Sequence, residues 1–159
     1  MNQDITFYKT PIGTAKIIGN ENGIISVSVT DDMVDLSDEI PESLKECVLQ
    51  LEEYFKKKRT IFDVKLNPQG SDFQKTVWNE LLQIPYAKTT TYLEQSKRMR
   101  NVKAIRAVAS ANGKNPIWII IPCHRVIGSD GSLTGYAGGL WRKKWLLEHE
   151  NPSNQTSLF

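Results

Sequence analysis

The chain has 159 residues, of which 40% are hydrophobic and 24% are charged, so it can bury the core of one domain or of two small ones. Its formal net charge is +2, and its two cysteines, far apart in sequence, exclude a disulfide framework. No apolar run is long enough to span a bilayer, and residues 1–4 lack the start of a signal peptide. These features favour a cytoplasmic protein without a membrane association.

The charges are unevenly distributed along the chain. Residues 21–53 contain ten acidic side chains and one basic one, whereas residues 86–114 contain seven basic side chains and one acidic one. The second stretch could face a polyanion that the first stretch repels. A solvated helix face explains the same pattern, and charge alone does not decide between the two interpretations.

Residues 1–68 are predicted to form a small α+β domain. Turn-forming residues at 11–13 and 22–23 separate segments of apolar residues, which predicts a β-hairpin. A helix is expected over residues 42–58, because apolar side chains recur there on one stripe. Residues 61–66 are predicted to form another strand.

A domain boundary is expected at Asn67-Pro68-Gln69-Gly70, so that residues 69–150 form a second, mostly helical domain. Ser71 and Gln74 have the spacing of a capping box, and the helix that they open should stop at Pro85.

Further helices are predicted downstream. Two short helical patterns cover residues 92–99 and 102–112, with Asn101 as a fair N-cap, and such a basic pair suggests a helix-turn-helix. A last helix is predicted over residues 140–150, followed by a flexible tail over residues 151–159.

The most informative segment contains Cys123 and His124. Residues 119–121 are isoleucines and are predicted to form a buried strand, and Pro122 then favours a turn. Cys123 would therefore begin a helical turn, where unpaired backbone N–H groups favour a thiolate. His124 could act as its base, directly or through water, with a carboxylate to orient the imidazole; the candidates are Asp130, Glu148 and Glu150.

Other interpretations of this segment remain open on the residues alone. A buried inert cysteine beside a structural histidine is the simplest of them. A cysteine protease is weakly supported, because no oxyanion-hole signature accompanies the pair. A zinc site is also disfavoured, because the available ligands lack paired short spacings; they are Cys47, Cys123, His124 and His149.

Residues 71–150 contain a series of motifs in a fixed order, at 73–85, 90–92, 106–108, 115–116, 121–128, 135–140 and 143–150. In this order they resemble the motifs of bacterial O6-alkylguanine-DNA alkyltransferases (methylated-DNA–protein-cysteine methyltransferases). The resemblance implies a ribonuclease H-like N-terminal domain and a C-terminal domain that contains a DNA-binding helix-turn-helix.

The family's activity implies a role for Cys123. It would accept, once and irreversibly, an alkyl group from O6-alkylguanine or O4-alkylthymine in double-stranded DNA, without a cofactor, a metal or an obligate protein partner. By the same resemblance His124 acts on Cys123 through a water molecule, and Glu150 orients His124. The alternatives are a non-enzymatic relative that only binds alkylated bases and a DNA-binding regulator.

The resemblance also implies contacts with the flipped nucleotide and with DNA. Arg106 would fill the vacated stack, and Asn115 would link the recognition helix to the active-site segment. The expected substrate contacts are Tyr92, Val126, Tyr136 and Ala137, and the expected DNA contacts besides Arg106 are Lys103, Ala104 and Ala107. Ala109 replaces a glycine that is common in the recognition helix, so the packing of this helix is not predicted. Trp118 and Trp141 are bulky, so the size of the accepted alkyl group is not predicted either.

Overall fold

A computed structural model describes residues 2–36 and 39–154 of the chain. The described residues form two compact units. The first contains the residues up to Gln69 together with Pro116–Trp118, and the second contains Gly70–Asn115 and the residues from Ile119 onward.

The first unit is a three-stranded antiparallel meander with one helix. The strands are β1 (Asp4–Thr10), β2 (Gly13–Asn20) and β3 (Gly23–Thr30), in the order β1-β2-β3. Two-residue turns join them, and each turn leads into a glycine with positive φ, 128° at Gly13 and 131° at Gly23. A side chain at Gly23 would also meet the Lys65 carbonyl, because an added Cβ would lie 2.9 Å from that oxygen. The predicted hairpin is therefore part of a larger sheet.

Helix α1 (Glu42–Phe55) contributes one apolar stripe to the first unit. Its buried residues include Leu44, Leu51 and Phe55, as the spacing predicted. The helix ends three residues before the predicted limit, because Lys57 adopts a left-handed conformation with φ 60°.

The predicted strand over residues 61–66 is wrong. Ile61 is 75% exposed, and Leu66 makes an isolated parallel bridge to Ile24. The outer edge of β3 pairs briefly with two segments, because Ile117 makes a similar bridge to Val27. Short pairings of this kind cover an edge without extending the sheet by a full strand.

The second unit is mainly helical. Its elements are α2 (Asp72–Leu81), β4 (Thr90–Thr91), α3 (Tyr92–Arg98), α4 (Ile105–Gly113), β5 (Val126–Ile127) and α5 (Leu140–Glu150). Strands β4 and β5 pair in parallel. The Trp78 indole N–H on α2 donates to the Ala111 carbonyl on α4 at 2.9 Å, which fixes these two helices against each other.

Short sequence motifs predicted some helix ends of the second unit correctly and one incorrectly. The capping box of α2 is confirmed, since Gln74 N donates to Ser71 Oγ at 3.1 Å and Ser71 N donates to Gln74 Oε1 at 2.9 Å. The bounds of α5 are those predicted. The side chain of Asn101 does not cap α4, because a 3₁₀ turn over Val102–Ala104 precedes that helix.

The predicted tail is described only up to residue 154, where Pro152–Asn154 forms a 3₁₀ turn, and residues 155–159 lie outside the described part. Within the described ranges, every helix is too short or too polar to cross a bilayer.

Replacing Ser71 by alanine should remove one half of the capping box. We expect Ser71→Ala to lower the free energy of unfolding by about 1 kcal/mol, because the first N–H groups of α2 lose a partner. Urea unfolding followed by circular dichroism measures the change. Ser129→Ala, in an exposed turn, is the matched control. Equal stability of the two variants would contradict the role of the cap.

Candidate active site

The segment before Cys123 is buried but is not a strand. Ile119 has φ 71°, a left-handed conformation that is unfavourable for a β-branched residue, and residues 119–121 form irregular turns. The predicted strand is therefore wrong, although burial of its three isoleucines is confirmed. Pro122 then leads into a single 3₁₀ turn, Cys123–Arg125, and Cys123 N donates to the Ile121 carbonyl at 2.9 Å.

Asn115 holds this turn and touches the thiol. Its Nδ2 group donates to the Ile121 carbonyl at 2.7 Å and to Cys123 Sγ at 3.3 Å. Asn115, two residues beyond the end of α4, thus contacts both the sulfur of Cys123 and the backbone before it.

The thiol of Cys123 is harder to ionise than a free cysteine. Burial raises the pKa of Cys123, and the Asn115 hydrogen bond and the charge of Lys143 oppose that rise without cancelling it. The thiolate expected from a helix N-terminus is therefore wrong for this structure, because one 3₁₀ turn offers little dipole and desolvation dominates.

His124 is held by a buried carboxylate. Its Nε2 lies 2.7 Å from Glu150 Oε2, and the side chains of both residues are at most 1% exposed. Glu150 is therefore the carboxylate that contacts the imidazole. Of the other candidates, Asp130 accepts from Ser132 N in its own turn, and no bond joins Glu148 to His124.

Arg125 neutralises Glu150. Its Nε donates to Glu150 Oε1 at 2.8 Å and its Nη2 to Glu150 Oε2 at 3.0 Å, while its Nη1 donates to the Ile84 carbonyl at 2.8 Å. Burial opposes the charge of Glu150, but the bonds from His124 and Arg125 outweigh burial and hold the pKa of Glu150 below its usual range.

The imidazole of His124 is neutral near neutral pH. Burial lowers the pKa of His124, and this effect exceeds the opposite one of Glu150. Because Nε2 carries the hydrogen that Glu150 accepts, Nδ1 is the basic nitrogen of the ring. Nδ1 is buried and has no hydrogen-bond partner among the described protein atoms.

A buried lysine supplies positive charge near the thiol. Lys143 is 1% exposed, and its Nζ donates to the Thr134 carbonyl at 3.0 Å and lies 5.8 Å from the centroid of the Tyr92 ring. Burial lowers the pKa of Lys143 to about 8, an effect that the neighbouring Cys123 opposes. Lys143 therefore titrates near neutral pH.

A cavity of about 340 Å³ opens beside these residues, between the helix pair and the loop that follows β5. It is lined by Tyr92, Ile105, Arg106, Ala109, Thr134 and Gly135. Tyr92 Oη donates to the Thr134 carbonyl at 3.2 Å, so the Lys143 and Tyr92 side chains meet at one oxygen. Arg106 is exposed and makes no ion pair with another described residue.

The other predicted site residues lie within the second unit. Lys103 and Ala107 are exposed, Ala104 ends the 3₁₀ turn before α4, and Val126 is buried in β5. In the loop before α5, Ala137 is exposed and the Tyr136 ring centroid lies 6.0 Å from Lys143 Nζ.

The two bulky tryptophans occupy different surroundings. Trp118 is buried in the first unit, where its ring centroid lies 6.4 Å from that of Phe55. Trp141 is 53% exposed at the start of α5, and the Arg142 guanidinium lies 4.4 Å from its ring centroid.

Sequence reasoning missed Arg125 and Lys143 as site residues. Each is a cation whose partner is distant in sequence, and in a single sequence such a residue cannot be told from a surface cation. The adjacency of Arg125 to the Cys123-His124 pair was the one signal that could have indicated it.

A larger cavity, of about 760 Å³, lies in the first unit. Its lining includes five carboxylates, which would repel DNA phosphates; they are Asp4, Glu21, Glu42, Glu46 and Asp63. The smaller cavity is therefore the better candidate site for an anionic polymer.

Two family models match the chain. The ribonuclease-like domain of 6-O-methylguanine DNA methyltransferase matches residues 5–68, and the DNA-binding domain of the same family matches residues 72–152. The chain belongs to this family. The expected α+β fold, with a small sheet domain followed by a helical one, is confirmed.

Named relatives of this methyltransferase family cover nearly the whole chain. A methylated-DNA–protein-cysteine methyltransferase of Methanosarcina acetivorans is 47% identical over 90% of the chain and 95% of the relative. One from Mycolicibacterium paratuberculosis is 41% identical over 94% of the chain and 93% of the relative.

Solved structures of the family are also similar. The O6-methylguanine methyltransferase of Mycobacterium tuberculosis has a TM-score of 0.85 and 39% identity, covering 95% of this chain and 94% of the other. OGT of the same organism in complex with DNA has a TM-score of 0.82 and 41% identity, covering 92% of this chain and 91% of the other.

Replacing Glu150 by glutamine should leave Arg125 charged and uncompensated in a buried site. We expect Glu150→Gln to lower the free energy of unfolding at pH 7 by about 3–5 kcal/mol. The carboxylate stabilises the fold above its ordinary pKa of 4.5, so the difference from the unmodified protein should shrink as pH falls below that value. Urea unfolding between pH 2 and 8 measures this difference.

Glu148→Gln, on the same helix, is the control and should change stability little. A difference between the Glu150→Gln variant and the unmodified protein that stays constant across this pH range would contradict the assignment.

Proposed function

We propose that Cys123 accepts the alkyl group of O6-alkylguanine, and of O4-alkylthymine, in double-stranded DNA. The observation that carries the proposal is the buried hydrogen bond of 2.7 Å between His124 and Glu150, one residue along the chain from the thiol. It gives the cysteine a base of fixed tautomer within a rigid turn.

The proton of the thiol passes to Nδ1 of His124 through a bridging water molecule. Consecutive side chains on a helical turn do not face each other, so a water molecule meets the geometry of Cys123 and His124 better than a direct contact. Glu150 stabilises the imidazolium that forms, as the carboxylate does in other nucleophile triads. Lys143 stabilises the thiolate that remains.

The transfer itself exchanges one bond for another. The thiolate attacks the alkyl carbon, an S–C bond forms, and the C–O bond breaks with its electron pair passing to the guanine. The guanine takes up a proton from water, and the imidazolium of His124 returns one to water. Atoms and electrons balance without a co-reactant, so the reaction requires no cofactor. The thioether product is stable, and each protein molecule therefore acts once.

The helix pair α3–α4 is proposed to bind DNA as a helix-turn-helix that presents α4 to the minor groove. The target base must leave the duplex to reach the half-buried thiol of Cys123. Arg106 is exposed beside the cavity, and its planar guanidinium can stack in the space left by the base. The small side chains of Ala104, in the turn before α4, and of Ala107, on α4, allow close approach to the groove. Lys103 supplies a phosphate contact whose strength falls with salt.

Tyr92, which lines the cavity, is proposed to contact the base edge, and the N–H group of Ala137 is proposed to face the alkylated oxygen. The carbonyl groups of Cys123 and Val126 would accept from the guanine amino group, and Tyr136 would complete the wall. A cytoplasmic location is part of the same proposal, because a reducing compartment keeps Cys123 as a free thiol.

Intact-mass analysis tests the proposal. After incubation with a duplex that carries one O6-methylguanine, we expect a gain of one methyl group per protein molecule, on Cys123. Cys123→Ser should gain none. Cys47→Ser is the matched control and should react normally, because burial raises the pKa of Cys47 to about 12.

A methyl group found on Cys47, or binding of the alkylated duplex without any gain in mass, would overturn the proposal. The second outcome would instead favour a protein that only binds alkylated bases.

The charge of Lys143 should set the rate of transfer near neutral pH. We expect Lys143→Met to slow transfer from duplex DNA about tenfold at pH 7, because the thiolate loses a neighbouring cation. The effect of Lys143 on the transfer rate should disappear above an inflection near pH 8, where Lys143 loses its proton and no longer stabilises the thiolate. The pH profile of the variant should lack this inflection. Single-turnover rates between pH 6 and 9.5 measure both effects.

Lys144→Met, the next residue on α5, controls for loss of charge from that helix. An inflection near pH 8 that persists in Lys143→Met would assign it to another group.

A further inference from the structure

Two amide side chains form a reciprocal hydrogen-bonded pair between α3 and α4. Gln95 Nε2 donates to Asn112 Oδ1 at 3.0 Å, and Asn112 Nδ2 donates to Gln95 Oε1 at 2.7 Å. Gln95 is 1% exposed and Asn112 is 4% exposed, so water does not compete for these bonds. The pair Gln95–Asn112 thus forms an amide clasp between the two helices.

The amide clasp connects the two helices that line the candidate cavity. Gln95 lies about one turn beyond Tyr92 on α3, and Asn112 lies on α4, which also carries Arg106. Tyr92 and Arg106 both line the cavity of about 340 Å³. Fixing α3 against α4 therefore fixes the positions of these two side chains relative to each other.

A polar pair at this place has a different consequence from an apolar one. Two apolar side chains would bury similar area, but they would tolerate small sliding and rotation of one helix on the other. Two directional bonds between fixed donors and acceptors allow one register, as buried polar residues do in coiled coils. The two hydrogen bonds therefore satisfy the buried amides and also fix the position of α3 relative to α4.

We propose that the amide clasp is a positioning element that holds Tyr92 and Arg106 in the arrangement required to extrude and receive the target nucleotide. The inference rests on the proposed alkyl transfer at Cys123. Gln95 and Asn112 act through the helices and do not touch the reacting atoms.

The chemistry at Cys123 should survive loss of the amide clasp. Asn112 is connected to the thiol through Asn115. Its carbonyl accepts from Asn115 N at 3.2 Å, and the Asn115 side chain donates to Cys123 Sγ. The Asn115 side chain, however, is anchored separately by its bond of 2.7 Å to the Ile121 carbonyl. Loss of the amide clasp should therefore slow transfer from DNA and leave reactions that need only the thiol nearly unchanged.

The test replaces both amides by apolar residues. Because both partners change together, the Gln95→Leu/Asn112→Leu variant leaves no buried amide unsatisfied and should remain folded. We expect its single-turnover transfer from duplex O6-methylguanine to fall about tenfold, since small misplacements of positioning groups cost this much or more. Its rate of Cys123 alkylation by iodoacetamide, followed by peptide mapping, should stay within about twofold of the unmodified protein.

The swapped variant Gln95→Asn/Asn112→Gln keeps two amides and the same combined side-chain length. It should restore much of the duplex rate, which a purely structural contribution of volume would not explain. Gln95→Leu alone should lower the melting temperature more than the double replacement, because it leaves the Asn112 amide unpaired.

Duplex transfer by the Gln95→Leu/Asn112→Leu variant at the unmodified rate would overturn the inference. Equal slowing of duplex transfer and iodoacetamide alkylation would also overturn it, in favour of a general structural role. Unmodified protein that reacts with iodoacetamide at Cys123 but gains no methyl group from duplex DNA would refute the proposed function, and the inference with it. The outcomes therefore distinguish the two failures.

Discussion

The structure of the second unit depends on one buried carboxylate. Glu150 ends α5, where the helix dipole disfavours a negative charge, and it is almost wholly buried. The guanidinium of Arg125 stabilises the charge at this position, because its planar group donates to both carboxylate oxygens. Arg125 also binds the Ile84 carbonyl, and Ala87 N donates to Glu150 Oε1 at 3.3 Å. One ion pair thus joins the connection after α2, the cysteine turn and the last helix.

The same ion pair determines the protonation states at the thiol. Because Arg125 compensates Glu150, the carboxylate can accept from His124 without taking its proton, and burial keeps the imidazole neutral. The thiol also remains protonated, because burial raises the pKa of Cys123. The resting site therefore contains an uncharged acid beside an uncharged base, with Lys143 as the nearby cation. This arrangement limits unproductive reaction of the thiol, and under the proposed mechanism ionisation of the thiol depends on proton transfer to His124.

Local signals and long-range contacts differ in how far the sequence predicts them. The Ser71 capping box and the bounds of α5 are confirmed, because they depend on residues within a few positions of each other. The predictions of strands over residues 61–66 and 119–121 are wrong, because an apolar run indicates burial and does not specify a hydrogen-bonding partner. The left-handed conformation of Ile119 contradicts its own propensity, so it is imposed by the surrounding structure. The residues alone offered three carboxylates as the partner of the His124 imidazole. The structure shows that Glu150, 26 positions along the chain, makes this contact.

The buried polar side chains of the second unit show where position matters most. Among its described residues they fall into three groups, namely the Glu150 ion pair with His124, the amide clasp with Ser96, and the loop anchors Arg142 and Lys143. The loop anchors donate to the Gly138 and Thr134 carbonyls, which flank the loop residues proposed to receive the base. Burial of polar groups is costly unless each is satisfied, and hydrophobic packing alone would have closed the same core. One of them, Lys143, donates to the carbonyl of Thr134, which lines the cavity of about 340 Å³ together with the exposed Arg106.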